Sequence, residues 1–183
     1  MAGTLVSINV SNGGVPKLPV AFAAITAAGV TGDRQKGRQW HGGPDRAVSI
    51  LALSVIHELQ QQGHTLVPGS TGENLTIDGF RADELVPGAR LRIGRDPATA
   101  VDLELTTWLE PCSKIAGNFS GRNIRVFAHQ KNPCRSRVGA RVLRVGTVAA
   151  GDPVALLPAE SLPPAESLPP AESLLPAESQ LPS

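Results

Sequence analysis

Cys112 stands in Glu110-Pro111-Cys112-Ser113-Lys114, directly after a run of strand character. A thiolate is a soft, nucleophilic donor, so a cysteine at the end of a rigid element suits catalysis or transition-metal ligation. Alone, a cysteine is more often a small buried hydrophobe. Its company favours chemistry. His41-Gly42-Gly43-Pro44-Asp45-Arg46 is a tight turn with a titratable imidazole at one end and a guanidinium at the other. Gly69-Ser70-Thr71-Gly72-Glu73-Asn74 is a loop whose successive N–H groups can form an anion nest, and Asn74 offers a donor and an acceptor to a heterocycle edge. Gly13-Gly14-Val15-Pro16-Lys17 sets a lysine on a Pro-flanked loop where it can meet a phosphate, without the spacing of a P-loop. The plain alternatives are turns carrying a solvated lysine and a structural asparagine. His57, His64 and His129 have no partner at metal-ligand spacing and read as structural or surface groups, so zinc is not expected. Cys134, in Asn132-Pro133-Cys134-Arg135, reads as an incidental exposed cysteine whose thiol the adjacent Arg could activate.

Strands must position these groups. Val6, Ile8 and Val10 alternate with Ser7 and Asn9, and Val101 to Leu109 keeps a clear period of two. Leu91 and Ile93 alternate with Arg90 and Arg92, and Ala47 to Leu53 is an apolar run fit for a central strand. Arg141–Val148 and Val154–Leu157 flank Ala150-Gly151-Asp152-Pro153 and read as a closing hairpin. Ser54 is the expected N-cap of a helix from Val55 to Gln62 that stops at Gly63, and Ser113 could cap a short helix toward Phe119. The fold class is mostly β with few short helices, a barrel or curled sheet.

Composition narrows the function classes. The 183 residues are 41% hydrophobic but only 3% aromatic, with no tyrosine, so the core must be Val, Leu, Ile and Ala. Pro-Ala-Glu-Ser recurs at Pro158, Pro164, Pro170 and Pro176. Prolines at that density favour solvated, extended chain, so residues 158–183 read as a disordered tail after a domain spanning 1–157. Net charge is +1, but without the four tail glutamates 17 basic side chains face 12 acidic ones. That surplus favours an anionic ligand and falls short of a nucleic-acid surface. Two cysteines 22 apart set no disulfide framework, and no apolar run spans a membrane. A cytoplasmic location is expected.

Taken in order, Lys17, His41-Gly42-Gly43-Pro44-Asp45-Arg46-Ala47, Gly72-Glu73-Asn74-Leu75 and Pro111-Cys112 resemble the MOSC domain, which ends molybdenum cofactor sulfurases and also occurs as bacterial stand-alone proteins. Arg141–Val148 and Gly151-Asp152-Pro153-Val154 look like the family's last hairpin. The resemblance covers residues 3–157 and implies a β-barrel-like fold with a pocket for molybdenum cofactor (molybdopterin). It implies Cys112 as the metal's protein ligand and catalytic residue, and Lys17 on the cofactor phosphate. Gly72, Glu73 and Asn74 would touch the pterin, and His41 and Arg46 would sit around the pocket.

The resemblance further implies an oxidoreductase acting on N-hydroxylated or related N–O substrates. With no iron–sulfur cysteine cluster and no Rossmann glycine signature in the chain, electrons would come from a separate flavin or iron–sulfur protein. Descriptions of the family also mention a relation to pyridoxal-phosphate sulfurases. Members that detoxify hydroxylaminopurines typically carry an arginine two positions before the cysteine, where Glu110 stands here. The alternatives are a non-catalytic carrier of cofactor or persulfide sulfur, and a thiol hydrolase or transferase in which Cys112 attacks with His41 as base.

Overall fold

The computed structural model describes residues 2–34 and 43–158. His41, Gly42 and residues 159–183 lie outside them. In chain order the elements are β1 (Ala2–Val10), β2 (Leu18–Val20), β3 (Phe22–Thr26), β4 (Gly29–Val30), β5 (Val48–Ala52), α1 (Leu53–Gln61), β6 (Leu75–Asp78), β7 (Arg90–Ile93), β8 (Val101–Leu109), β9 (Arg137–Arg144), β10 (Gly146–Ala149) and β11 (Pro153–Leu157). Short 3-10 helices cover Pro44–Arg46 before β5, and Ser113–Asn118, Ser120–Arg122 and Ile124–Phe127 between β8 and β9.

Seven strands close into a barrel in the order β11-β7-β8-β9-β5-β6-β1, with β1 returning to β11. The strand β1 changes partner along its length: β11 at Ala2–Thr4, β6 at Thr4–Ile8, and β2 at Ile8–Val10. The β5–β6 pair is parallel, and α1 belongs to the crossover that a parallel pair requires. A second, three-stranded sheet runs β10-β3-β4. The interior is aliphatic, as the composition demands: Leu5, Ile8, Ile50, Leu75, Ile77, Leu91, Ile93 and Leu103 are fully buried. Each such side chain contributes about 1.5–3 kcal/mol on leaving water.

Four expectations change. The β1 alternation breaks at a register shift between Leu5 and Ser7, where a bulge leaves Val6 38% exposed and buries Ser7 and Asn9. The closing hairpin does not form: Val145 interrupts the run, β10 pairs with β3, and β11 pairs with β7 and β1. Ser54 does not cap α1, because β5 runs straight into the helix and the cap position falls on Ala52. Ser113 is likewise one residue late, since Cys112 holds the N-cap position of its 3-10 helix. The stop at Gly63 holds: with φ at 84° it lets its N–H reach the Gln60 carbonyl and His64 N–H reach that of Leu59, a Schellman pair.

Candidate functional site

The chain from Ser11 to Lys17, the Thr71–Gly72 loop before β6, the end of β8 and the start of β9 meet around one open cleft. Its empty volume is about 770 Å³, counting the part continuous with solvent. Among the described residues five in the lining are cationic (Lys17, Arg34, Arg46, Lys114 and Arg137) and none is acidic. Cys112 is exposed on the same wall, where the chain leaves β8 and enters its 3-10 helix.

Lys17 lies in the floor, 9% exposed, with its Nζ donating to Asp33 Oδ2 at 2.5 Å. Burial pushes its pKa below the usual lysine value, opposed by the hydrogen bond and charge of Asp33. Asp33 also accepts from Ser11 N–H (2.9 Å) and Asn74 Nδ2 (2.9 Å), so it ties the lysine to two walls. One Lys17 proton is taken and two remain for a ligand.

Asn74 and Glu73 stand behind the wall rather than in it. Asn74 Oδ1 accepts from Ser49 N–H (3.1 Å) and Ser49 Oγ (3.0 Å), and its Nδ2 donates to Asn9 O (3.2 Å) and Asp33. Its hydrogen-bonding capacity is filled, so the heterocycle contact expected for Asn74 has no free atom to make it. The Glu73 carboxylate, fully buried, accepts from Gly69 N–H (2.6 Å), Thr71 Oγ1 (2.5 Å) and Thr76 Oγ1 (3.2 Å). Four of the six N–H groups of the expected anion nest are spent in the same way. Gly69 N–H goes to Glu73, Ser70 N–H to Val67 O, Gly72 N–H to Gly69 O, and Asn74 N–H to Ser49 O.

Gly72 does reach the cleft. Its φ is +87°, and a Cβ there would stand 2.7 Å from Val15 Cγ1 and 3.3 Å from Arg137 Nη1. Gly72→Ala should therefore lose about 1–2 kcal/mol in urea unfolding. It should also displace Arg137, which a crystal structure of the variant would show.

Arg137 and Asp33 are the residues that sequence reasoning missed. Arg137 opens β9, donates from Nη2 to Glu110 O at 3.4 Å, and holds a buried Nε with no hydrogen-bond partner. Burial pushes its pKa down, with the charges of Glu73 and Cys112 acting the other way. A guanidinium stays protonated regardless, so this is an unsatisfied cationic donor beside the thiol. Glu110 itself does not line the cleft, and its carboxylate accepts from Gln130 N–H at 3.4 Å.

The remaining candidates fall elsewhere. Arg46 lines the cleft, whereas its turn partner His41 is outside the described residues. His64 Nδ1 accepts from Ser120 N–H, and His129 stacks on Trp108 at 4.2 Å. Cys134 is half-buried, and burial pushes its thiol up, with the charge of Asp83 adding to this. Arg135 is engaged with Glu58 and does not activate Cys134.

Among the described residues no three His, Cys, Asp or Glu side chains gather to hold an ion. A metal at Cys112 would reach the protein through one sulfur and bring its other ligands with it. The donor set suits a metal carried inside an anionic organic cofactor, with Cys112 as soft ligand and the cations around it as counter-charge.

Residues 37–155 match the profile of the MOSC domain family. Protein YiiM of Escherichia coli K12 is 27% identical over 139 residues, which are 73% of this chain and 58% of YiiM. The chain thus spans less than two thirds of that relative's length. The crystal structure of the YUAD protein of Bacillus subtilis superposes with a TM-score of 0.66 at 17% identity, over 84% of this chain and 94% of that one. YiiM from Geobacillus stearothermophilus superposes at 0.58 with 23% identity, over 85% and 75%. At these identities the superpositions establish the fold.

Proposed function

Because the chain belongs to the MOSC domain family, we propose that the cleft binds molybdenum cofactor with Cys112 on the metal. We further propose that the protein reduces N–O bonds with electrons from a separate protein. What supports this reading is the exposed thiol on a wall shared with five cations and no acid. Lys17 is paired with Asp33 and Glu73 lies behind the loop, so part of this charge is compensated from within, and the positive surplus that remains suits an anionic ligand.

The bound cofactor would supply two-electron redox chemistry beside the sulfur. The chain's own residues hold and orient it. Lys17, braced by Asp33, presents two protons to a phosphate. Arg34 and Arg46 add charge along the same wall, and Arg137 adds its guanidinium charge to the lining that Cys112 shares. Gly72 lets the backbone approach closely, and Glu73 and Asn74 act as positioning residues that fix this loop from behind. Arg46 is delivered by the short 3-10 turn Pro44–Arg46. The balance is a hydroxylamine plus two electrons and two protons giving an amine and water. A reducing cytoplasm would keep the thiol available. No helix among the described residues is long and apolar enough to cross a membrane.

The test is to purify the chain from a cofactor-producing host and measure molybdenum and pterin. About one of each per chain is expected, and neither would overturn the reading. A loaded protein inert toward hydroxylamines with flavin reductases and with artificial donors alike would instead be a carrier of cofactor or sulfur.

Anion affinity of the cleft should also depend on pH. Lys17 loses its proton below the ordinary lysine value, so inorganic phosphate binding, followed by calorimetry, should weaken as pH rises toward 10.5. The Lys17→Met protein should bind more weakly at pH 7 and show less of that loss.

A further inference from the structure

From Pro111 to Gly151 the chain carries eight Lys or Arg and no Asp or Glu. Three of the eight have carboxylate partners elsewhere: Arg135 meets Glu58, Arg141 meets Asp45 and Glu104, and Arg144 shares Asp102 with Arg92. Arg137 belongs to the cleft, and Lys114 lines it too, at the point where the cleft meets the excursion. Lys114, Arg122, Arg125 and Lys131 are left, all exposed and all without a carboxylate partner among the described residues. Surface arginines on other elements, such as Arg81 and Arg95, have theirs.

These four cations ride on the excursion between β8 and β9, and that excursion is built as a platform. Ile115, Phe119 and Phe127 are buried beneath it, and the two phenylalanine rings pack at 5.7 Å. Asn118 donates to Ser70 O, and Asn132 Nδ2 donates to Arg125 O. The 3-10 helix carrying Lys114 packs against those carrying Arg122 and Arg125, and it starts at Cys112. A fixed cationic surface therefore begins at the proposed redox sulfur.

We propose that the excursion Ser113–Arg135 is the docking surface for an acidic flavoprotein that delivers electrons to the Cys112 cleft. The inference rests on the reductase reading above. Unpartnered cations on a rigid face steer an acidic partner and fix its orientation. Cleavage of an N–O bond takes two electrons and two protons, which flavin hydroquinone supplies in one encounter by leaving as oxidised flavin, or in two successive encounters by leaving as the semiquinone. The chain's own glutamates match this surface poorly. They recur only every six residues in sequence, and the truncation below tests them as a rival occupant.

The experiment uses the full, cofactor-loaded chain and an acidic FMN flavodoxin as probe. Biolayer interferometry should show binding that weakens as NaCl rises from about 20 to 200 mM. R122E/R125E/K131E should bind about tenfold or more weakly, with the neutral R122Q/R125Q/K131Q between. In turnover, the KM for reduced flavodoxin should rise with kcat little changed, while reduction driven by the small dye methyl viologen stays at the wild-type rate. Equal binding and equal donor KM in all three proteins would overturn the proposal. So would tighter binding of a DNA duplex than of flavodoxin, or a large gain in flavodoxin binding on removing residues 159–183. Absence of viologen-driven turnover in the wild type would count against the reductase reading instead, and the binding series would still decide the surface.

Discussion

Cys112→Ser is expected to leave purification folded and without molybdenum. The side chain is exposed and no hydrogen bond of the fold runs through its sulfur, so its loss should shift unfolding by no more than about 0.5 kcal/mol. Its effect on the metal is of another order. Serine's hydroxyl is a hard donor that stays protonated near neutrality, whereas a thiolate is soft and anionic. Among the described residues no group of three His, Cys, Asp or Glu side chains gathers to take its place. Elemental analysis beside pterin fluorescence separates two contributions: metal should fall at least tenfold, while pterin, held by the cations, should fall less. Wild-type and variant proteins carrying equal molybdenum would remove Cys112 from the metal.

Glu73→Ala should be the most destabilising single change at the site, by about 3–5 kcal/mol in chemical denaturation. Three donors converge on that carboxylate in a place with no access to water. Truncation orphans the Gly69 N–H, frees two threonine hydroxyls, and removes a buried negative charge that favours the cationic forms of Arg137 and Lys17. Glu73→Gln keeps the shape but turns one oxygen into a donor that faces donors, so it should recover only part of the loss. Urea midpoints of the three proteins, read by circular dichroism, give the order wild type, Gln, Ala. An alanine variant as stable as the wild type would mean that the loop is braced by other contacts.

The period-two pattern of Val101–Leu109 was enough to identify β8, although it tracks the core only at Val101, Leu103 and Leu105: Asp102 is buried as well, and the register shifts at Asp102/Leu103 and Leu105/Thr107. The apolar run before Leu53 gave β5 because all five of its residues are buried. The bulge in β1 was not legible, since one inserted residue inverts which side chains face inward without altering composition. The false hairpin has a similar cause. A turn at Gly151-Asp152 states that the chain reverses, whereas partner choice for β10 and β11 is settled by strands more than a hundred residues earlier and by β7.

At the site, Lys17, Arg46, Gly72 and Cys112 could be read from local motifs and do share the cleft. Asp33 and Arg137 could not. A single Asp in Thr31-Gly32-Asp33-Arg34, or an Arg at the start of a strand, carries no spacing signal, and each takes its role only when the barrel closes. Asn74 and Glu73 mark the converse case: polar side chains in a glycine loop look alike in sequence whether they face a ligand or their own backbone.

The barrel's final closure is only three residue pairs long, Ala2–Thr4 against Pro153–Ala155. Both ends of the described chain therefore emerge side by side along one short zipper. An affinity tag or fusion partner at the N-terminus will crowd that spot and a bulky one will tend to prise it open, whereas one after Ser183 is separated from it by residues 159–183. Proteins meant for cofactor loading are better prepared with a long, cleavable linker, and a tag-dependent melting temperature would be the first sign that the zipper had been disturbed.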